Sequence, residues 1–94
     1  MEELRQLADF FEATADDVRI GVTHICLYMA LLHEWNIASL QNPIHIRRFS
    51  LMKNARISRK TYNKCMKELQ EYGYIRYEPS SNPFEKSKVY LNRL

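Results

Sequence analysis

Eight consecutive residues, Ile25-Cys26-Leu27-Tyr28-Met29-Ala30-Leu31-Leu32, are uncharged and apolar on whichever side they are viewed. They sit inside a stretch that reads as a helix, with Thr23 as its N-cap and an end near Ala38. A helix that is apolar all round must be covered on more than one face. In a chain of 94 residues part of that surface should meet the N-terminal helix or a second subunit. Trp35 extends the stripe.

The residues before this helix supply one cover. Glu2 to Ala13 has the spacing of an amphipathic helix, with Leu4, Leu7, Ala8 and Phe11 on one face, Phe10 beside them and the charges opposite. Thr14 to Val22 reads as a polar connection. After the apolar helix, Gln41-Asn42-Pro43 is a loop and Ile44-His45-Ile46 a short alternating strand. Arg47 to Lys53 is a short helix with Phe49 and Met52 three apart, and Asn54 to Ile57 is a turn. Ser58 is a good N-cap for a helix running to Tyr72, whose Tyr62, Cys65, Met66, Leu69 and Tyr72 recur at helical spacing and face the core. Gly73 can adopt the left-handed conformation that stops a helix. Ile75-Arg76-Tyr77 and Val89-Tyr90-Leu91 alternate as the strands of a β-hairpin, joined by a loop rich in Pro, Ser and Asn that is too long for a two-residue turn.

Strand, short helix, tight turn, helix, Gly stop and hairpin follow one another in the order of a winged helix-turn-helix. The expected fold class is therefore mainly α with a small β-hairpin wing (α+β). The chain should form one domain over 1–94, with an N-terminal helix at 1–13 and the helix-turn-helix and wing at 44–91. The stretch "SRKTYNKCMKELQEYGYIRYE" resembles the recognition helix and first wing strand of winged-helix regulators of the MarR and GntR families and of DnaD-like replication proteins. Ser58-Arg59, Thr61, Lys67-Glu68-Leu69 and Gly73-Tyr74-Ile75 carry the resemblance. With "THICLYMALLHEW" and "SKVYL", the chain also looks like small winged-helix proteins of plasmids and conjugative elements. The resemblance implies duplex DNA as partner and a role in regulating transcription. A part in replication or excision of a mobile element is the alternative.

Charge points to the same segment. Residues 1–46 carry two arginines against seven acidic residues, a net −5; residues 47–76 carry nine basic residues against two acidic ones, a net +7; residues 77–94 add +1. A polyanion should bind the basic third. Within it, Arg59 and Lys60 stand at the positive end of their own helix dipole, and Glu68 and Glu71 toward the negative end. Lys64–Glu68 and Lys67–Glu71 pair in the poorer i,i+4 order, and Lys60–Lys64 is a like-charge neighbour, each effect worth a few tenths of a kcal/mol. The helix is not charged for its own stability. A phosphate at its N-terminus would turn those costs into gains, because backbone N–H groups, dipole and side chains then all favour the anion.

On a helical wheel the face opposite the apolar stripe shows Lys60, Asn63, Lys64 and Lys67, with Arg59 at one flank and Thr61 at the other. Asn63 can pair with an adenine edge, whereas Lys60, Lys64 and Lys67 suit phosphates and Arg59 suits either. Ser58, as the cap, joins them at the helix start. Lys86 and Lys88, at the end of a wing spanning 79–88, and Arg47 and Arg48, opening the first helix of the motif, complete the expected DNA-binding set. Phe84 in the wing is either an anchor on the domain or an exposed tip.

The remaining chemistry-bearing residues suggest no reaction. No nucleophile stands beside an evident base, no Gly-rich phosphate loop occurs, and His24, His33 and His45 have no metal-ligand spacing with the cysteines or carboxylates. Neither enzymatic activity, cofactor nor metal is expected. Cys26 and Cys65 lie in apolar patterns and read as reduced core residues. No apolar run approaches the roughly 20 residues of a membrane span, and Met1-Glu2-Glu3 begins acidic, unlike a secretory signal; the expected location is cytoplasmic. A homodimer is expected, since two half-sites raise affinity and specificity, with Leu4, Leu7, Phe11 and the exposed parts of Ile25 to Leu32 as its interface. The rival from another class is a protein-docking module that binds no DNA.

Overall fold

The computed structural model describes residues 2–80 and 86–94. These residues form four helices and three strands in the order α1 (Glu2–Thr14), α2 (Val22–Ile37), β1 (Ile44–Ile46), α3 (Arg48–Ala55), α4 (Arg59–Glu71), β2 (Ile75–Glu78) and β3 (Ser87–Leu91). The result is an α+β protein with a small antiparallel sheet. Among the described residues, no helix is long and apolar enough to cross a membrane.

The all-round apolar α2 lies at the centre because three helices and a strand pack on it: α1, α3, α4 and β1 all touch it. Leu27, Tyr28, Leu31 and Trp35 are buried along it. Its cap differs from expectation. Gly21, not Thr23, is the N-cap, and the His24 side chain reaches back so that Nδ1 accepts from the Gly21 N–H at 3.0 Å. This is the reciprocal half of a capping box, with an imidazole in place of the usual Glu or Gln.

α1 docks through a different face from the one its apolar spacing suggests. Phe10 is fully buried and stacks on Tyr28, with ring centroids 3.7 Å apart. Gln6 Nε2 donates to the Tyr28 hydroxyl at 2.8 Å, and Thr14 closes the helix by donating to the Phe10 carbonyl. Leu4, Ala8 and Phe11 remain exposed and Leu7 half-buried. In α3 the buried residues are Leu51 and Ala55, one turn apart, with Met52 half-buried. Phe49, two positions before Leu51 and hence on the opposite side, is 81% exposed rather than sharing a buried face with Met52.

Two left-handed residues set the corners around α4. Arg56, with φ 61°, closes α3, and Gly73, with φ 88°, follows α4. Between α4 and α1, the Asp17 carboxylate accepts from Arg19 Nε and Nη2 at 2.8 Å and from the Tyr74 hydroxyl at 2.6 Å, while the Arg19 guanidinium lies over the Tyr72 ring at 4.0 Å. The α1–α2 connection is thereby fastened to the α4–β2 corner.

In the sheet the strand order is β1-β3-β2, all antiparallel. The hairpin expected from Ile75 to Leu91 forms, with Ile75 opposite Leu91 and Tyr77 opposite Val89. β1 adds to the far edge of β3, Ile44 opposite Val89. Ile44, Ile46, Ile75, Val89 and Leu91 are buried beneath the sheet. Both cysteines are free, Cys65 buried and Cys26 half-buried.

Candidate nucleic-acid interface

The candidate site is built on α4. Ser58 Oγ accepts from the Thr61 N–H at 3.2 Å and donates to Thr61 Oγ1 at 3.0 Å, so a side chain starts the helix as expected. Tyr62, Cys65, Met66 and Leu69 are buried, and Arg59, Lys60, Asn63, Lys64 and Lys67 are exposed on the other face; Thr61 is half-buried. The first turn holds no acidic residue. Among the described residues Arg59, Lys60 and Lys64 form no ion pair, and Lys67 Nζ lies a loose 3.8 Å from Glu71 Oε1. An exposed i,i+4 pair of that kind is worth about 0.3–0.5 kcal/mol.

The sequence spacing pairs Glu68 with Lys64. In the fold its carboxylate instead takes His24 Nε2 at 2.9 Å and the Tyr72 hydroxyl at 3.2 Å. The hydrogen bond to His24, with that from Tyr72 and the nearby Lys64 charge, holds the Glu68 carboxyl below its ordinary value. The acid is turned toward α2, and the lysine face of α4 is left basic.

Arg47 and Arg48 occupy the N-cap and first position of α3, both exposed. Among the described residues no side chain caps this helix, and its first turn holds no acid. Its free N–H groups and two guanidinium groups therefore point to the same preference for an anion as the start of α4.

A recess of about 310 Å³ joins these elements to the hairpin, lined by Arg48, Tyr62, Asn63, Lys67, Gln70 and Tyr77 together with Met66 and Pro79. Gln70 is the functional candidate that the sequence reading missed; its spacing of three from Lys67 and seven from Asn63 puts it on the same helix face. It accepts from the Tyr77 N–H at 2.6 Å, fastening the hairpin to α4. Tyr62 is 3% exposed, as its place in the apolar stripe suggests, yet its hydroxyl has no hydrogen-bond partner among the described residues. Burial pushes the phenol pKa up, and Tyr77 adds to this while Arg48 opposes it.

Not every expected residue joins this cluster. Lys88 stands on the outer face of the sheet, opposite His45 on one side and Glu78 on the other. On that face the Arg76 guanidinium lies 4.0 Å over the Tyr90 ring. Lys86 is exposed just before β3. The remainder of the expected wing tip, including Phe84, lies outside the described residues.

One cluster corrects the sequence expectation that the histidines and cysteines stay apart. His24, Cys65 and Glu68 bring their ligand atoms within 4.8 Å of one another. The hydrogen bonding accounts for the three without an ion. Gly21 N–H donates to Nδ1, so the proton sits on Nε2 and is given to Glu68, and Cys65 Sγ donates to Thr23 Oγ1 at 3.3 Å. A metal on Nε2 would need the proton moved to Nδ1, facing the Gly21 N–H. The cluster serves as a tie between α2 and α4.

No protein-family model, curated protein or solved structure matches this chain.

Proposed function

We propose that the chain is a winged helix-turn-helix protein that binds duplex DNA, with α4 as recognition helix and the β2–β3 hairpin as wing, and that it regulates transcription. The observation that carries this reading is the face formed by Arg59, Lys60, Asn63, Lys64 and Lys67, exposed, with Glu71 as the one acidic ion-pair partner on it among the described residues, and bordered by Arg48 across the recess. Asn63, held short and central on that face, is the base reader; the lysines and Arg48 hold phosphates. Ser58 and Thr61 order the backbone N–H groups at the helix start. Lys86 and Lys88 belong to the wing and contact the backbone farther along the duplex. Replication or excision of a mobile element would use the same interface.

Selection of bound duplexes from a random-sequence pool tests the reading. An enriched motif is expected, with affinity that falls steeply with salt. Lys64→Ala should weaken all sequences about equally and lower the salt slope by about 1, whereas Asn63→Ala should relax preference at one base position at about 1–3 kcal/mol. No enrichment, with affinity unmoved by reversing Lys60, Lys64 and Lys67 to Glu, overturns it. The exposed Phe49 on α3 favours the rival reading, a protein-docking module; that reading requires partner binding that survives the charge reversals and fails in Phe49→Ser.

A further inference from the structure

Among the described residues, the apolar helix α2 keeps one side without a partner. Val22, Cys26, Met29, His33 and Asn36 recur at alternating spacings of four and three, the repeat of a coiled-coil seam. Val22 is 76% and Met29 44% exposed. Leu4 and Leu7 of α1 border the seam at one end, forming a recess of about 210 Å³. The α3–α4 corner, Asn54 to Ile57, borders it at the other, forming one of about 570 Å³. Met29 and His33 line both recesses and so mark the centre of one continuous groove.

We propose that this groove is covered by a second copy of the chain, with the two α2 helices packed antiparallel about a two-fold axis between Met29 and His33. Three observations select that occupant. The seam residues themselves include no carboxylate, lysine or arginine, so an identical seam can cover them without burying an unpaired charge. The elements that border the two ends are opposite in charge: the corner supplies Arg56, with Lys53 shortly before it in sequence, whereas α1 carries Glu2, Glu3, Asp9 and Glu12 against Arg5. An antiparallel pair sets each basic corner against the acidic end of the other copy, whereas a parallel pair sets like against like. Finally, Leu4, Phe11, Val22, Met29 and Ile37 are all substantially exposed. Of these Leu4, Val22 and Met29 line the groove, with the half-buried Leu7, Ile25 and Cys26 beside them, and a contiguous exposed apolar surface marks a docking face. In this register Met29 of each copy meets His33 of the other, and Cys26 meets Asn36.

The dimer does not rest on the DNA reading, and its test needs no DNA. Sedimentation equilibrium of the whole chain should give twice the monomer mass at roughly 100 μM, well above a micromolar Kd; a monomer at that concentration overturns the proposal. Met29→Glu should give a monomer with an unchanged far-ultraviolet circular dichroism spectrum, and a folded Met29→Glu that stays dimeric places the interface elsewhere. Asn36→Cys fixes the direction. Mild oxidation should produce an intermolecular bond between Cys26 and the new cysteine, mapped by mass spectrometry. Bonds joining like positions, 26 to 26 or 36 to 36, would refute the antiparallel register.

Discussion

His24 and Glu68 meet between α2 and α4, Nε2 to Oε1 at 2.9 Å, and the same imidazole caps α2 through the Gly21 N–H. One side chain thus starts the central helix and fixes how the candidate recognition helix lies on it. The contact also removes an acid from the basic face, which joins the packing to the proposed function.

His24→Ala should lose both roles. The cap alone is worth about 0.5–2 kcal/mol, and thermal or urea denaturation reads the loss. Glu68→Gln keeps an oxygen for His24 to donate to and should cost less than Glu68→Ala. The double variant His24→Ala/Glu68→Ala should be less destabilised than the two single losses added together. Strict additivity would show that the pair is not coupled.

Acid should unfold the protein through two carboxylates. Asp17 is held well below its ordinary value, chiefly by the Arg19 hydrogen bonds and then by Tyr74, and Glu68 is lowered by His24. For a group lowered in the folded state, the unfolded chain takes up its proton first as pH falls. The stabilisation is therefore complete above the unfolded value, about pH 4, and drains as pH drops toward the folded one. Asp17→Asn should be less stable than wild type at neutral pH and should lose less on acidification from about pH 5 to pH 2. Parallel acid profiles for the two would refute this.

The Tyr62 hydroxyl is buried without a partner among the described residues. Tyr62→Phe keeps the ring in the core and removes the unpaired group, so stability should rise by about 1 kcal/mol, or roughly 4–8 °C in Tm for a chain of this size. A fall in Tm would mean that the hydroxyl finds a partner in solution.

Gly73 has a φ of +88° and open space where a Cβ would stand, with no heavy atom of the described residues beyond its chain neighbours within 4 Å. Gly73→Ala should therefore cost about 1–2 kcal/mol through backbone conformation alone, and Gly73→Asn less. Equal losses for the two, measured by urea denaturation, would point to a cause other than handedness.

The local features were legible because their causes are local. Ser58 caps α4 with its own hydroxyl, Gly73 stops it by its lack of a Cβ, and the period of Tyr62, Cys65, Met66 and Leu69 alone identifies the buried side. The exposed lysine face follows as the complement of that stripe. The cap of α2 was not legible in the same way. Thr23 has the better cap chemistry, but His24 reaches Gly21 because Glu68, 44 residues away, holds the other ring nitrogen.

Docking decided the rest. In α1 the short spacing Leu4, Leu7, Phe11 marks an apolar stripe, yet Phe10 enters the core because Tyr28 presents a flat ring to stack on. In α3 two faces carry an apolar residue, and contact with α2 buries Leu51 and leaves Phe49 in water. The recess that joins Arg48, Asn63, Lys67 and Tyr77 exists only once the hairpin folds back on α4. By itself the sequence determined the elements, their order and the signs of their faces, since caps, stops and periodicity act within one turn or one strand. Which apolar face is buried, which acid is drawn away from the lysines and which side of α2 stays open depended on partners distant in sequence, and only the tertiary structure brought those into contact.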